Sequence, residues 1–430
     1  MTLKYIFLEN YGCTSNKFDS EVIHALLEGC GYIVVKDPTM ADLILVNTCG
    51  VKKATEDRIL SRLLFFKGLR KPIVVSGCLP KIDLAAIKNA IPDYVAVLDP
   101  RSIDKIPILM KNVECGHSNE VFFEHEHKIK IGLPKIQSGE ILEIVQICEG
   151  CLGSCTFCCT RFARGSLFSY PLKEIVKKIE NNVQKGIKEF WITAQDVGAY
   201  GLDIEENITK LLEEICAIKG EFFLRVGMMN PHHVLIILDQ LIEVYKKDKI
   251  FKFLHIPVQS GNNAVLKSMN RPYTVEDFLT IIHSFRRAIP DITIATDVIC
   301  GFPSESEDAF EDSLTLVRKV KPDIVNISKF FPRPGTPAMN MSMFSNEVIK
   351  LRSRKMTELC RETSFKQNNF WLNWIGEIII DERGKNGSWI GRNFAYKPVI
   401  IRSKENLMGE LLKIHTKNVF PTYLEGEIME

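Results

Sequence analysis

The sequence predicts an α/β protein in three parts: a Rossmann-like N-terminal domain, a partial (βα)6 TIM-like barrel and a small C-terminal β-barrel. Short β-rich runs alternate with helical patterns from residue 5 to 112, which is typical of a parallel sheet with crossover helices. The alternation resumes at residue 141 and repeats about six times, as in an open barrel. From about residue 375, five short runs separated by turn residues predict a small β-barrel.

These patterns divide the chain into an N-terminal domain, a linker, a barrel and a C-terminal domain, with predicted bounds of 1–113, 114–140, 141–370 and 371–430. The linker loses the βα rhythm. Its potential zinc ligands have a spacing that matches no common zinc site, so an exposed connector is the simpler interpretation; they are Cys115, His117, His125 and His127.

Composition and charge are those of an ordinary soluble globular protein, with 46% hydrophobic and 25% charged residues in 430. The sequence has no secretion leader and no apolar run that could span a membrane, so we expect a cytoplasmic protein with no membrane partner. The net charge of +2 neither indicates nor excludes a nucleic-acid partner. A basic stretch at residues 52–71 is one candidate RNA contact, although a solvated helix face is the simpler interpretation.

Three cysteines follow three predicted strands of the N-terminal domain. Cys13 follows YIFLENYG, Cys49 follows LILVNT, and Cys78 follows IVVSG. Because the carboxyl ends of parallel strands meet at one edge of a sheet, we expect these thiols to lie together. A single cysteine is often only a small buried hydrophobic residue, but three at equivalent strand ends favour a shared metal site. If that site holds a 4Fe-4S cube, three thiolates leave one iron open.

A second group of cysteines lies in the loop after the first predicted barrel strand, in ICEGCLGSCTFCCTRFARG. Cys151, Cys155 and Cys158 form the pattern CxxxCxxC, whereas Cys148 and Cys159 fall outside it and are interpreted as structural or incidental thiols. No matching second pair lies nearby to complete a zinc site. The alternative is a second cluster with three protein ligands, whose open iron can chelate S-adenosylmethionine.

These motifs together resemble the radical S-adenosylmethionine (radical SAM) methylthiotransferases. The resemblance covers nearly the whole chain and includes a C-terminal TRAM domain; the stretches that carry it are NYGCTSNKFDSE, VNTCGV, SGCL, HIPVQSGNNAVLKSMNRPYT, TDVICGFPSESEDAF, FFPRPGTPA and GRNFAYKPVII. CTFCCTRFARG and LRVGMMNP are most similar to the archaeal and eukaryotic type. Members of that group place a methylthio group on C2 of N6-threonylcarbamoyladenosine (t6A) at tRNA position 37.

The resemblance implies two 4Fe-4S clusters and S-adenosylmethionine as cofactors. Cys13, Cys49 and Cys78 would hold the cluster at which a sulfur is methylated. The CxxxCxxC cysteines would hold the cluster that gives the 5′-deoxyadenosyl radical. It also implies the tRNA anticodon loop as partner and an electron donor such as a flavodoxin or ferredoxin. The barrel mouth and the N-terminal sheet edge are expected to face each other across the base.

Five polar residues at strand ends of the barrel are candidate S-adenosylmethionine ligands: Gln195, Asp196, Arg225, His255 and Gln259. Arg225 in particular could meet a carboxylate. A satisfied structural polar group is the open alternative for each of them.

The TRAM domain carries balanced charges, so its grip on RNA requires Arg392, Lys397 and Arg402 to cluster on one face. Two enzymatic alternatives are a methylthiotransferase for another modified adenosine and one for an aspartate of a ribosomal protein. A non-enzymatic alternative is an RNA-binding protein whose cysteines hold structural zinc.

Overall fold

The computed structural model describes residues 3–137 and 139–429. The chain forms two compact units, each assembled from segments that are separate in sequence. The first unit contains residues 3–137, 146–170 and 331–340, and the second contains residues 139–145, 171–330 and 341–429.

The first unit is built on a six-stranded parallel sheet with the order β2-β1-β3-β4-β5-β6. Its strands are β1 (Tyr5–Asn10), β2 (Ile33–Val35), β3 (Leu43–Thr48), β4 (Ile73–Gly77), β5 (Ala96–Leu98) and β6 (Glu120–Phe122). The helices of this part are α1 (Thr14–Gly29), α2 (Lys53–Gly68), α3 (Leu79–Ile82), α4 (Leu84–Ala90) and α5 (Ile106–Glu114). The central strand β3 is buried along its whole length, which explains its continuous apolar sequence LILVNT. The predicted Rossmann-like arrangement is confirmed.

Strand β6 lies inside the segment predicted as a linker. It pairs in parallel with β5, with Ala96 opposite Glu120, and so forms the edge of the sheet. Three residues are too few to give a periodic signal, and backbone pairing rather than an apolar pattern defines the strand. His127 of the same segment stacks on Phe168 at 5.2 Å between ring centroids, so this histidine has a packing role.

The rest of the first unit carries the second cysteine motif. The short strands β8 (Cys148–Glu149) and β9 (Phe168–Ser169) pair antiparallel, and helix α6 (Thr160–Arg164) lies between them in the chain. The cysteine loop therefore leaves β8 and returns through α6.

The second unit contains the βα repeats. Its strands form the orders β11-β10-β7 and β12-β13-β14, and a parallel bridge from Leu224 to Ile250 joins the two groups. The strands are β7 (Leu142–Gln146), β10 (Glu189–Thr193), β11 (Phe223–Val226), β12 (Phe253–His255), β13 (Thr293–Cys300) and β14 (Ile324–Lys329). Strands thus neighbour one another in chain order, and the predicted partial six-unit barrel is confirmed.

Helices follow these strands and cover the sheet, with apolar residues such as Ile175 and Ile179 buried against it. They are α7 (Leu172–Gln184), α8 (Ile208–Ala217), α9 (Pro231–Ile236), α10 (Leu238–Tyr245), α11 (Asn263–Ser268), α12 (Val275–Ala288), α13 (Glu307–Val320) and α14 (Asn346–Asn369). Helix α12 begins at a capping box, in which Thr274 Oγ1 accepts from Asp277 N and the Asp277 carboxylate accepts from Thr274 N.

The C-terminal strands close into a barrel with the order β15-β16-β17-β19-β18. They are β15 (Ile375–Arg383), β16 (Ser388–Arg392), β17 (Pro398–Arg402), β18 (Leu411–Val419) and β19 (Leu424–Ile428). The predicted small β-barrel is confirmed. It packs on the larger barrel through Tyr396, whose ring lies 4.8 Å from that of Phe251. The four predicted segment bounds stay predictions.

In the described residues, no helix combines the length and the apolar character needed to cross a bilayer.

Candidate functional site

The first three predicted cysteines lie at one edge of the N-terminal sheet. Cys13 immediately precedes α1, Cys49 directly follows β3, and Cys78 directly follows β4. Strands β1, β3 and β4 are neighbours, so these chain positions adjoin one another. Cys49 and Cys78 are buried, and Cys13 is exposed. The structure therefore brings the three residues together, as the topology predicts, with Cys13 on the open side.

Two glycines allow this close approach. Gly77 has φ +96°, and a Cβ there would lie 2.3 Å from the carbonyl oxygen of Thr48. Gly12 has φ +117°, and a Cβ there would lie 2.8 Å from Cβ of Cys49. Since real Cβ atoms do not approach so closely, the residues before Cys78 and Cys13 have to be glycines.

The thiols of this group influence one another electrostatically. Burial raises the pKa of Cys78, the nearby Arg164 guanidinium opposes this, and Cys49 and Cys13 raise the pKa further. Burial also raises the pKa of Cys49. Three thiolates this close need a strong positive charge beside them, which a bound metal cluster supplies.

The CxxxCxxC cysteines lie in the loop between β8 and α6. Gly153 N donates to Sγ of Cys151 at 3.2 Å, and a Cβ on Gly153 would lie 3.4 Å from Sγ of Cys151 and 3.8 Å from Sγ of Cys155. The amide of Cys158 donates to the carbonyl of Cys155 at 3.1 Å, which turns the chain back toward the first two thiols. All three cysteines are half-buried, so a ligand can reach the loop from solvent.

Within residues 3–137 and 139–429, no three Cys, His, Asp or Glu side chains converge closely enough to hold one metal ion. An iron–sulfur cube spreads its thiolates more widely, because each thiolate binds a different iron atom. Thiolates are the usual ligands of such a cluster, so the donor set of each cysteine group fits one.

A buried ion network, which sequence reasoning missed, connects the two cysteine motifs. Arg164 donates to Asp19 at 2.6 Å, to Glu149 at 2.7 Å and to Asn16 at 2.7 Å. Lys130 donates to Glu149 at 2.8 Å and to Asp19 at 3.3 Å. Burial alone would raise the pKa of Glu149, but Lys130 and Arg164 bring it down to about 2. The four charges are thus fixed and mutually compensated.

The sequence did carry a signal for this network. Asp19 follows Cys13 by six residues, Glu149 precedes Cys151 by two, and Arg164 follows Cys158 by six. Charged residues of both signs thus lie at short spacing from the cysteine motifs, which is the pattern from which ion pairs between the motifs could be expected. The pairing itself joins residues up to 145 positions apart, which no local pattern reveals.

Two further cysteines of the loop region are fully buried. Cys148 lies in β8, and Cys159 donates through Sγ to the carbonyl of Gly50 at 3.5 Å. Burial raises the pKa of Cys159 to about 12. Cys159 packs with Ile82 and Ala163, so its environment is that of a core residue.

Two of the candidate S-adenosylmethionine ligands lie after β10. Gln195 directly precedes Asp196, whose Oδ1 accepts from Gly198 N at 3.1 Å and from Asn230 N at 3.0 Å. Oδ2 of Asp196 lies 2.9 Å from Nδ1 of His233. Both carboxylate oxygens of Asp196 are therefore engaged within the protein, which favours a structural role in the turn.

Arg225 on β11 lies among aromatic rings and does not face a carboxylate in the described residues. Its guanidinium carbon is 5.1 Å from the ring centroid of Trp191, 4.9 Å from that of Phe253 and 5.3 Å from that of Tyr396. Cation–π contacts of this kind hold the guanidinium among these three rings.

His255 and Gln259 lie at and after the end of β12. Nε2 of His255 is 3.2 Å from both oxygens of Asp297, which also accepts from Asn326 Nδ2 at 2.7 Å. Gln259 has φ +70°, and its backbone N–H donates to the backbone carbonyl oxygen of Asp297 at 2.8 Å. Asp297 thus organises this strand end; it lies in the quoted stretch TDVICGFP, but nothing in the sequence pattern singled it out.

The structure contradicts the assumption that Arg392, Lys397 and Arg402 cluster on one exposed face of the C-terminal barrel. Lys397 is buried and donates to Asp323 at 2.6 Å and to Asn368 at 2.8 Å. Arg392 is largely buried and donates to Asp381 at 2.9 Å. Of the three predicted cations, only Arg402 is exposed, because acidic partners from other segments take up the other two.

Comparison with known proteins gives three family matches along the chain. The radical SAM superfamily matches residues 145–317, the uncharacterized protein family UPF0004 matches residues 5–99, and the TRAM domain matches residues 375–429. The fold also resembles the radical S-adenosylmethionine methyltransferase TsrM from Kitasatospora setae. That likeness has a TM-score of 0.57 and 14% identity, and it covers 78% of this chain and 77% of that one. The radical SAM match over residues 145–317, which include the CxxxCxxC loop, identifies a radical SAM protein.

Two relatives specify the family. A probable threonylcarbamoyladenosine tRNA methylthiotransferase of Pyrococcus abyssi is 41% identical over 99% of both chains. The threonylcarbamoyladenosine tRNA methylthiotransferase of Drosophila melanogaster is 33% identical over 99% of this chain and 78% of its own length. The chain belongs to the threonylcarbamoyladenosine tRNA methylthiotransferase family. It is a radical SAM transferase, and S-adenosylmethionine and 4Fe-4S clusters are the cofactors of this class.

Proposed function

We propose that this protein adds a methylthio group to C2 of t6A at position 37 of tRNA, in the anticodon loop. The main support for this proposal is the full-length similarity to relatives named for this reaction, one of which is 41% identical. An aromatic C2–H has no acidic proton, so a general base cannot remove it near neutral pH. Radical chemistry avoids this barrier.

The two cysteine groups divide the work. Cys13, Cys49 and Cys78 would hold one 4Fe-4S cluster, and Cys151, Cys155 and Cys158 would hold the other. When bound, these groups supply a sulfur that can be methylated and the reductive cleavage of S-adenosylmethionine. Because Cys13 is exposed and its two partners are buried, the first site opens to the exterior on the Cys13 side.

The barrel residues would position S-adenosylmethionine. Gln195, Arg225, His255 and Gln259 stay candidate contacts, and Asp196 would act by shaping the turn after β10. His255 is already oriented by Asp297, at 3.2 Å to each oxygen. An ordered imidazole at a strand end is suited to hold a polar ligand group without further rearrangement.

An exposed groove on the C-terminal barrel would contact the tRNA backbone. It has a volume of about 780 Å³ and is lined by Trp389 together with the cations Arg383, Arg402 and Lys404. Arg383 lies 5.2 Å from the ring centroid of Trp389. Cations bind phosphates, so this groove takes the place of the face formed by Arg392, Lys397 and Arg402. Trp389 is only 7% exposed, and its ring supports Arg383.

The proposal includes a reducing partner, a flavodoxin or ferredoxin, since cleavage of S-adenosylmethionine consumes an electron. A reducing compartment such as the cytoplasm follows, because six cysteines have to stay available as ligands.

The test is mass spectrometry of nucleosides from tRNA of cells with and without the gene. We expect the methylthio adduct of t6A to disappear without the gene, while t6A itself remains. The wild-type gene and Cys30→Ala restore the adduct, since Cys30 is exposed and lies outside both groups. Cys49→Ala and Cys155→Ala do not.

An unchanged nucleoside profile would contradict the proposal. Metal analysis separates the zinc alternative: two cubes give about eight iron and eight sulfide per chain, whereas zinc without sulfide supports a structural site.

A further inference from the structure

Arg164 belongs by sequence to the CxxxCxxC segment, but its contacts are with the other cysteine group. It is the last residue of α6 and is only 1% exposed. Its Nη2 donates to Asn16 at 2.7 Å and to Asp19 at 2.6 Å, both on α1, the helix that begins directly after Cys13. The guanidinium is therefore fixed beside the first cysteine group.

Asn16 connects Arg164 to Cys78. Its Oδ1 accepts from Arg164 and also lies 3.6 Å from Sγ of Cys78. Its Nδ2 donates to the carbonyls of Tyr11 and Thr48, at 2.8 Å each, which come just before Cys13 and Cys49. One amide thus contacts the chain beside all three cysteines, and Arg164 orients that amide.

Charge makes the same connection. The positive charge of Arg164 interacts with Cys78 and Cys13 as well as with Asp19 and Glu149. Lys130, the other cation of the network, contacts Asp19 and Glu149 at 3.3 and 2.8 Å. Lys130 therefore shares the buried acids with Arg164 but lacks the contact with Asn16.

We propose that Arg164 is a positioning residue for the cluster held by Cys13, Cys49 and Cys78, where its fixed positive charge stabilises the reduced form. This rests on the proposed function, in which that group holds a 4Fe-4S cluster. Net charge and hydrogen bonding around a cluster set its reduction potential, and a nearby cation raises it. The same side chain fixes the CxxxCxxC loop to α1, so the two sites are connected through one guanidinium.

The test uses full-length protein in two backgrounds. Replacing Cys151, Cys155 and Cys158 by Ala leaves only the first site, and replacing Cys13, Cys49 and Cys78 by Ala leaves only the second. Each is reconstituted with iron and sulfide and titrated under electron paramagnetic resonance. In the first background, we expect Arg164→Gln to lower the midpoint potential and Arg164→Lys to restore more than half of the shift. In the second background, the shift is less than a third as large.

Matched variants separate charge from folding. Lys130→Gln disturbs the same buried acids but leaves Asn16 in place, so it is expected to shift the potential of the first site much less than Arg164→Gln does. Arg161→Gln, on the exposed face of α6, is the surface control. If Arg164→Gln alone folds poorly, Glu149→Gln is added to keep the network neutral. Asp19 on α1 then keeps its charge beside the first site, so the lower potential is still expected.

The outcomes are distinguishable. If neither background retains iron and sulfide, the proposed function fails. If both retain a cluster but Arg164→Gln shifts the first site no more than Lys130→Gln does, the role of Arg164 is overturned and the proposed function stands.

Discussion

Gly77 occupies a backbone conformation that places Cys78 at the end of β4. Any other residue at this position would be strained by the φ of +96°. Its Cβ would also clash with the backbone, at 2.3 Å from the Thr48 carbonyl oxygen. Neither can be relieved by rotating a side chain. The residue before Cys78 thus controls where the third thiol of the first group lies.

We expect Gly77→Ala to lower the free energy of unfolding by about 2 to 4 kcal/mol, since a left-handed φ costs about 1 to 2 kcal/mol and the clash adds to it. Urea unfolding followed by circular dichroism measures this. Gly116→Ala is the control, because Gly116 has φ +89° but open space around its Cβ, so only the conformational cost of about 1 to 2 kcal/mol is expected. Equal losses in both variants would contradict a steric role for the Thr48 carbonyl.

Glu189 is a buried carboxyl where the small barrel packs on the larger one. It accepts from Trp191 Nε1 at 2.6 Å and from Tyr396 at 3.1 Å. Burial and the neighbouring Asp381 raise its pKa, Trp191 and Arg392 oppose them, and the resulting pKa is about 7. The folded protein therefore holds a proton here that the unfolded chain releases at lower pH.

The raised pKa of Glu189 determines whether the free energy of unfolding rises or falls with pH. Between about pH 4.5 and 7, the folded state binds more protons at Glu189 than the unfolded state, so this group makes stability fall as pH rises through that window. Glu189→Gln is expected to flatten the fall, measured as the urea midpoint at pH 5, 6 and 7. Glu180→Gln, on an exposed position of α7, is the control and keeps the wild-type slope. A wild-type slope in Glu189→Gln would refute this assignment.

At the scale of elements, a buried ion pair attaches residues 331–340 to α2. Arg333 donates to Glu56, and both side chains are less than 5% exposed. The sequence stretch FFPRPGTPA therefore has a structural partner in the helix after Cys49. Removing one charge leaves the other buried and unpaired.

We expect Glu56→Gln to cost about 3 to 5 kcal/mol, and the double variant Glu56→Gln with Arg333→Met to cost less than the sum of the two single changes. A double-mutant cycle by urea unfolding measures this coupling. The exposed pair Arg318 and Glu311 is the control, with a coupling below about 1 kcal/mol. Additive effects at Glu56 and Arg333 would show that the pair is not coupled.

Local patterns predicted most of the helices and strands. Strand-length apolar runs and amphipathic helices identify β3, α7 and the βα repeats because their periods are visible within a few residues. The three-residue edge strand β6 has no such period and was hidden in a segment interpreted as a linker. Its position depends on pairing with β5, which a single sequence does not display.

At the scale of the whole molecule, the candidate site also has one part that the sequence predicts and another that depends on contacts between distant residues. The grouping of Cys13, Cys49 and Cys78 could be predicted, because parallel topology alone brings strand ends to one edge. The ion pair between Arg164 and Asp19 could not be predicted, since it joins residues 145 positions apart. The basic face failed for the same reason: Lys397 meets Asp323 from a distant segment, and charge counts do not reveal partners.

The first unit is discontinuous, since it takes residues 146–170 and 331–340 in addition to its N-terminal sheet. During translation, residues 331–340 are synthesised only after most of the chain, so the first unit cannot be completed before then. A gene fragment that stops at residue 137 keeps the ion pair between Lys130 and Asp19, but Asp19 loses Arg164 and Lys130 loses Glu149. We therefore expect the N-terminal sheet to be less stable when it is expressed without residues 146–170 and 331–340, which complete its compact unit.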